Sequence, residues 1–211
     1  MNIHCAADEW FGVNSYVIDE NGHCFLIDPV LTDYFVNLVS DQIIDFAILT
    51  HEHYDHISGV NELKQKFGTK VLCGERAAER LKDPGLNLSR FQDYIVQVIP
   101  FGNGQTGSEE YSCMADETVA DGQIICWEGH RLLFKETPGH SVGSISVLLD
   151  NEALFPGDTI FKNYPTATRL PGGSTKQFKQ ITEPWLDTLP PNIMVFPGHG
   201  DAFLLKERYK T

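Results

Sequence analysis

The chain has 211 residues, 42% of them apolar, and its 29 acidic against 16 basic side chains leave a net charge of −13. With no Lys/Arg-rich run, that balance argues against a nucleic-acid partner, because phosphate backbones are gripped by clustered cations. No apolar run approaches the roughly 20 residues needed to cross a bilayer, so no membrane partner is expected.

No linker-like composition divides the chain, and residues 1–211 are expected to form one domain with a substantial core. The first residues lack the basic start and apolar run of an export signal. The five cysteines, Cys5, Cys24, Cys73, Cys113 and Cys126, form no Cys-x-x-Cys pair. Scattered thiols of this kind read as small core residues in a reducing compartment, so a cytoplasmic protein acting on a small-molecule substrate is expected.

In chain order, Val13 to Ile18 reads as a strand, Asn21-Gly22 as a tight turn, and Cys24 to Ile27 as the returning strand. Asp28-Pro29 ends that hairpin, since the residue before proline is pushed out of helical geometry. Asp33 to Val39 reads as a helix and Ile43 to Leu49 as a buried strand. Ile57, Val60, Leu63 and Phe67 recur at helical spacing, so a helix over 57–67 follows, ended by Gly68. A strand is expected at Lys70 to Cys73, a helix at Glu75 to Lys82, a strand at Tyr94 to Phe101 and a polar excursion at Gly102 to Ser112. Strands near Ile124–Trp127 and Leu132–Glu136 open a β-rich second half. Lys162 to Thr175 reads as a loop, and Lys176 to Leu189 as a helix interrupted near Pro184.

Between the Ile43–Leu49 strand and the helix after it stands Thr50-His51-Glu52-His53-Tyr54-Asp55-His56. In an extended segment alternate side chains point the same way, so His51 and His53 can reach one ion together. Asp55 and His56 are adjacent where the chain must bend before the helix, and are free to face a second ion. Imidazole and carboxylate suit zinc, iron or manganese better than calcium or magnesium, which prefer oxygen shells.

The second half repeats one device three times. A strand-like run meets Pro138-Gly139-His140, then Pro156-Gly157-Asp158, then Pro197-Gly198-His199. Proline stops the ladder, glycine permits a sharp turn, and a metal-capable side chain is delivered at the strand's end. Seven candidates result: His51, His53, Asp55, His56, His140, Asp158 and His199. That is too many for one zinc and suits two ions sharing a bridging carboxylate. Asp28, at its own strand end, could orient a ligand by a hydrogen bond or simply cap a turn. Tyr54 and Tyr164 could donate to an oxyanion or serve as packing residues. His4, His23 and His130 lie in turns or near a terminus and read as solvated surface.

These motifs resemble the metallo-β-lactamase-fold hydrolase superfamily, and within it the small glyoxalase II-like enzymes. The resemblance rests on Thr-His-x-His-x-Asp-His at 50–56, Thr-Pro-Gly-His-Ser-x-Gly-Ser at 137–144, Phe-Pro-Gly-Asp-Thr-Ile-Phe at 155–161 and Phe-Pro-Gly-His-Gly at 196–200. It implies an α/β fold, an αββα sandwich of two mixed sheets with helices outside and metals at one edge. It further implies that His51, His53 and His140 hold one ion, that Asp55, His56 and His199 hold the other, and that Asp158 bridges them. Asp28 matches the family's aspartate behind the ligands.

Two departures bear on substrate. Where small relatives tend to read Gly-Arg-Thr-Asp-Leu-Pro-Gly-Gly, this chain has Thr166-Ala167-Thr168-Arg169-Leu170-Pro171-Gly172-Gly173. The chain also ends soon after His199, before any glutathione-gripping helical domain. Hydrolysis of a small thioester, ester or lactone by a metal-bridging hydroxide is therefore expected, with Asp55 and Asp158 mainly ligating and able to accept a proton. The cofactors would be two divalent ions, zinc first and iron or manganese next. The alternatives are a mono-iron sulfur dioxygenase on the same fold and a non-catalytic metal-binding module.

Overall fold

The computed structural model describes residues 1–94 and 109–210. Among the described residues, twelve strands form two six-stranded sheets, each following chain order. The first sheet contains β1 (Asn2–Ala7), β2 (Asn14–Glu20), β3 (His23–Ile27), β4 (Ile43–Leu49), β5 (Val71–Gly74) and β6 (Glu117–Val119). Its β1–β2–β3 meander is antiparallel, whereas β3 to β6 run parallel. The second sheet contains β7 (Ile124–Trp127), β8 (His130–Glu136), β9 (Ile145–Leu149), β10 (Ala153–Gly157), β11 (Met194–Pro197) and β12 (Phe203–Leu204). Within it only the β10–β11 pair is parallel.

Strand alternation sends one set of side chains between the sheets and the other outward. Phe25, Ile27 and Ile48 of the first sheet meet Phe134, Val147 and Phe155 of the second. Leu26 and Leu49 point the other way and pack under α1 (Asp33–Val39) and α3 (Val60–Phe67) through Phe35 and Leu63. On the far side Leu154 and Val195 pack under the 175–188 helical segment through Phe178 and Leu186. The result is the expected αββα order of layers, two mixed sheets with helices outside. No helix among the described residues is long and apolar enough to cross a membrane.

Several elements differ from the sequence expectation, each for a physical reason. The helix expected over 57–67 starts earlier, as α2 (Tyr54–Ile57), and breaks at Ser58-Gly59 before α3. Gly59 lies so close to the Pro29 carbonyl that any Cβ would overlap it. Asp55 and His56 therefore sit on a helical turn rather than in a bend ahead of it. The Glu75–Lys82 helix is absent. Turns there end in a 3-10 turn, Arg80–Lys82, because Arg80 is drawn into an ion pair with buried Glu52.

The interruption in the last helix is a π-turn, Phe178–Thr182, whose closing bond runs from the Glu183 N–H to the Phe178 carbonyl. Pro184 has no N–H to continue the regular ladder, and the preceding turn widens. Pro156 and Pro197 lie inside β10 and β11, where the ladder shifts register between Leu154 and Gly157 rather than stopping. The strand expected from Tyr94 falls outside the described residues beyond Tyr94, which itself closes a helical turn at 92–94. Cys24, Cys73 and Cys113 are core residues, whereas Cys5 and Cys126 are exposed. His4, His23 and His130 are not left to solvent: each is partly buried against an aspartate, Asp19, Asp45 and Asp150.

Candidate metal centre

All seven predicted residues meet at one edge of the two sheets, where β4 and the three Pro-Gly turns deliver them. His51, His53, His56, His140 and His199 are buried, and the Asp55 and Asp158 side chains are 18% and 11% exposed. Ligand-capable atoms of His51, His53 and His140 lie within 4.8 Å of one another, as do those of Asp55, His56 and His199. Asp158 stands between the two trios, with its oxygens 3.4 Å from His56 Nε2, 3.7 Å from His140 Nε2 and 3.6 Å from His199 Nε2. Two donors on one tetrahedral ion with bonds near 2.05 Å are separated by about 3.3 Å, so these spacings suit coordination better than direct hydrogen bonding.

The hydrogen bonds behind the rings decide which nitrogen is offered. His51 Nδ1 lies 3.1 Å from Thr50 Oγ1, His56 Nδ1 donates to Asp28 Oδ2 at 2.8 Å, and His140 Nδ1 donates to the Ala167 carbonyl at 3.1 Å. His199 Nδ1 donates to the Gly12 carbonyl at 2.9 Å. In each of these four rings the proton is held on Nδ1 and the lone pair of Nε2 faces inward. His53 is turned the other way, with Nδ1 2.9 Å from His140 Nε2. The Nε2 atoms of His51 and His56 and Oδ1 of Asp158 are buried without a hydrogen-bond partner. Orphaned buried acceptors are costly, and a cation is the group that satisfies them together.

Asp28 anchors this arrangement. It is buried in the left-handed region at φ 47°, a conformation that aspartate tolerates better than most residues. Its carboxylate accepts from Thr50 N at 2.7 Å, Thr50 Oγ1 at 2.6 Å and His56 Nδ1 at 2.8 Å. With the Thr50 proton so committed, Thr50 Oγ1 is left to accept from His51. One carboxylate thereby sets the tautomer of a ring in each trio. Three donors engage Asp28 from behind, although one of its oxygens also lies within 4.8 Å of ligand-capable atoms of His51 and His56.

A second buried carboxylate was not apparent from sequence. Glu52 alternates with His51 and His53 and so points away from them. It pairs with Arg80 and accepts from Ser141 Oγ at 2.9 Å and Gly143 N at 3.1 Å. This ties the 50–53 segment to the turn that carries His140. Gly198 permits the closest approach, since a Cβ there would overlap Asp158 Oδ1.

Electrostatics follow from this crowding. Burial first, and neighbouring imidazoles second, hold His51 well below its ordinary value. Burial also brings His53 and His140 down to about 4, so these rings stay neutral at pH 7. Burial pushes Asp55 up, but His56 and His199 outweigh it and bring the carboxyl to about 2. Burial likewise lowers His56, and the facing Asp55, Asp158 and Asp28 raise it further than burial lowers it. His51, His53 and His140 are thus held as the neutral imidazoles that divalent metals require, beside ionised carboxylates, whereas His56 and His199 are raised and would each give up a proton on binding one.

A cavity of about 130 Å³ opens directly above these residues. His53, Asp55, His140, Asp158 and His199 form its polar end, and Phe11, Tyr54, Leu88, Phe161 and Leu170 its walls. Tyr164 also lines it, so both tyrosines singled out in the sequence border the cavity, Tyr54 packed edge-on against Phe11 at 5.7 Å.

Residues 8–199 match the family described as the Metallo-beta-lactamase superfamily. A probable metallo-hydrolase of Bacillus subtilis (strain 168), YqgX, is 29% identical over 194 residues, covering 89% of this chain and 84% of that protein. A hydroxyacylglutathione hydrolase of Brucella anthropi is 29% identical over 157 residues, 74% of this chain but only 47% of its own length. Among solved structures, the BLEG-1 B3 metallo-beta-lactamase superposes with a TM-score of 0.79 at 23% identity, covering 98% of this chain and 95% of that one. Motif, layer order and a match spanning most of the sequence agree: the chain belongs to the metallo-beta-lactamase superfamily.

Proposed function

We propose that the chain is a hydrolase that works with two divalent ions, zinc first among the candidates, and cleaves a small thioester, ester or lactone. The observation that carries this reading is the convergence of five buried histidines and two partly buried aspartates beneath an apolar cavity. His51, His53 and His140 would hold one ion, Asp55, His56 and His199 the other, with Asp158 shared. A divalent cation in such a site lowers the pKa of water to about 7 and stabilises developing oxyanion charge.

The chain's own groups do the rest. Asp55 and Asp158 border the cavity as carboxylates, so either can accept the proton released as the tetrahedral intermediate collapses. In that collapse water's oxygen is bound to the acyl carbon, the C–S or C–O bond breaks, and the leaving group departs with a proton. Phe11, Tyr54 and Phe161 restrict water around the carbonyl, which strengthens each charge interaction. The relative named hydroxyacylglutathione hydrolase supports thioester chemistry, although this chain spans under half of that protein.

The deciding experiment combines elemental analysis of the purified protein with a hydrolysis screen over neutral thioesters, esters and lactones. Two metal ions per chain and turnover lost in His51→Ala are expected. A single iron with oxygen consumption would place the chain among dioxygenases instead, and unchanged turnover in His51→Ala would exclude the centre.

A further inference from the structure

The cavity above the ligands does not end at its walls. Leu88 and Leu170 are shared with a shallow trough that continues outward to Phe91, Tyr94 and Pro171. Phe91 and Tyr94 are 45% and 68% exposed, so the apolar surface extends beyond the mouth. Among the described residues, no Lys or Arg lines either the cavity or the trough. The nearby Arg80 and Arg90 are committed to Glu52 and Glu110. On the opposite side of the Phe11–Tyr54 pair lies a groove bordered by Asp8, Glu9, Asp33 and Glu62, again with no cation.

Leu88 is the informative residue. It is buried, yet its backbone sits in the left-handed region at φ 68°, where a branched L-residue is strained. Its neighbours hold it there: Asn87 Oδ1 accepts from Ser89 N at 2.9 Å, Asn87 Nδ2 donates to the Tyr111 carbonyl at 2.8 Å, and the Asn87 carbonyl accepts from Tyr54 N at 2.8 Å. Glycine or asparagine would adopt that backbone with less strain. A leucine kept there at the junction of cavity and trough indicates that its side chain serves as a wall.

Resting on the hydrolase reading, we infer that the substrate is an acyl compound with a neutral, linear apolar acyl chain. The chain runs from the ligands across Leu88 and Leu170 toward Phe91 and Tyr94, and the leaving group carries no negative charge. The two carboxylates of a thiol such as glutathione would meet, among the described residues, carboxylates and hydrocarbon with no Lys or Arg lining to pair them.

The test is a chain-length series of acyl thioesters of N-acetylcysteamine, acetyl to decanoyl, with octanoyl-glutathione alongside and octanamide titrated calorimetrically into the same protein. We expect kcat/KM to rise about threefold to fourfold per added methylene until the trough is filled. The octanoyl thioester of N-acetylcysteamine should exceed octanoyl-glutathione at least tenfold. Leu88→Asn and Leu170→Asp should each cut the octanoyl-to-acetyl ratio at least tenfold and weaken octanamide binding. A flat series, or preference for the glutathione conjugate, overturns the inference while leaving the hydrolase reading intact. If no thioester turns over and the ester and lactone screen is also negative, the hydrolase reading fails, and calorimetry still decides the trough: octanamide that does not bind, or binds Leu170→Asp equally well, ends the proposal.

Discussion

The floor and the wall of the cavity are built on opposite principles. On the floor, Nδ1 of four histidine rings, Asp28 and Glu52 all have named polar partners, while Nε2 of His51, His53 and His56 and Oδ1 of Asp158 are buried without one. On the wall, Phe11, Leu88, Phe161 and Leu170 present hydrocarbon and the trough beyond is partly open to solvent. Buried polar groups are tolerated only in one arrangement, so a floor of this kind is rigid. An apolar wall accepts many shapes at modest cost, so it is where substrate range can vary without loss of the chemistry.

The largest test of that contrast is Asp158→Ala, which removes the carboxylate between the two trios. It is expected to abolish turnover and reduce bound metal, while Leu88→Asn should retain full metal content; elemental analysis of both variants decides. Next is Arg80→Ala, which leaves Glu52 buried without its ion-pair partner. Breaking a buried pair costs about 3 kcal/mol or more, a fall in Tm of roughly 6–12 °C, and the double variant Glu52→Gln/Arg80→Met should recover much of it. Equal melting curves for wild type and Arg80→Ala would show that the pair contributes nothing.

Asp28→Asn should act more gently, weakening metal affinity by about tenfold to a hundredfold through loss of His56 orientation. Competition with a chromophoric chelator measures it, and unchanged affinity would reduce Asp28 to a turn cap.

The smallest expected effect is on the pH dependence of the metal-free protein. His53 and His140 fall from an ordinary 6.5 to about 4 on folding, so stability is lost as pH drops from 6.5 toward 4, where only the unfolded chain takes up those protons. His56 and His199 are raised above 6.5, so their contribution is full below that value and lost as pH climbs through their folded values. Thermal melts in chelator should therefore peak near pH 6.5. A monotonic rise to pH 9 would contradict the charge states assigned to the floor.

Much of the floor was legible because its signals are local. The Thr50–His56 spacing and the three Pro-Gly turns each occupy a few consecutive residues, and strand-end geometry follows from neighbours in the chain. The braces were less legible in proportion to their span. Asp28 could be read either as a cap or as an orienting group, and a bond to His56 across 28 residues decided between them. Glu52 lies equally far from Arg80, and helix propensity over 75–82 pointed to a regular helix where the chain instead forms turns and pairs Arg80 with Glu52. The wall was hidden altogether, since leucines and phenylalanines at 11, 88, 161 and 170 carry no pattern marking them as a surface.

By itself, then, the amino-acid order determined the candidate donor types, their delivery at strand ends and the layered α/β architecture, because these depend on short-range periodicity and turn chemistry. Only the tertiary structure decided which nitrogen each histidine presents, what holds the two halves of the site together, and that no Lys or Arg lines the cavity or trough among the described residues. Those properties arise from contacts between segments distant in sequence, where burial and hydrogen-bond partners, not local propensity, set the lowest free energy.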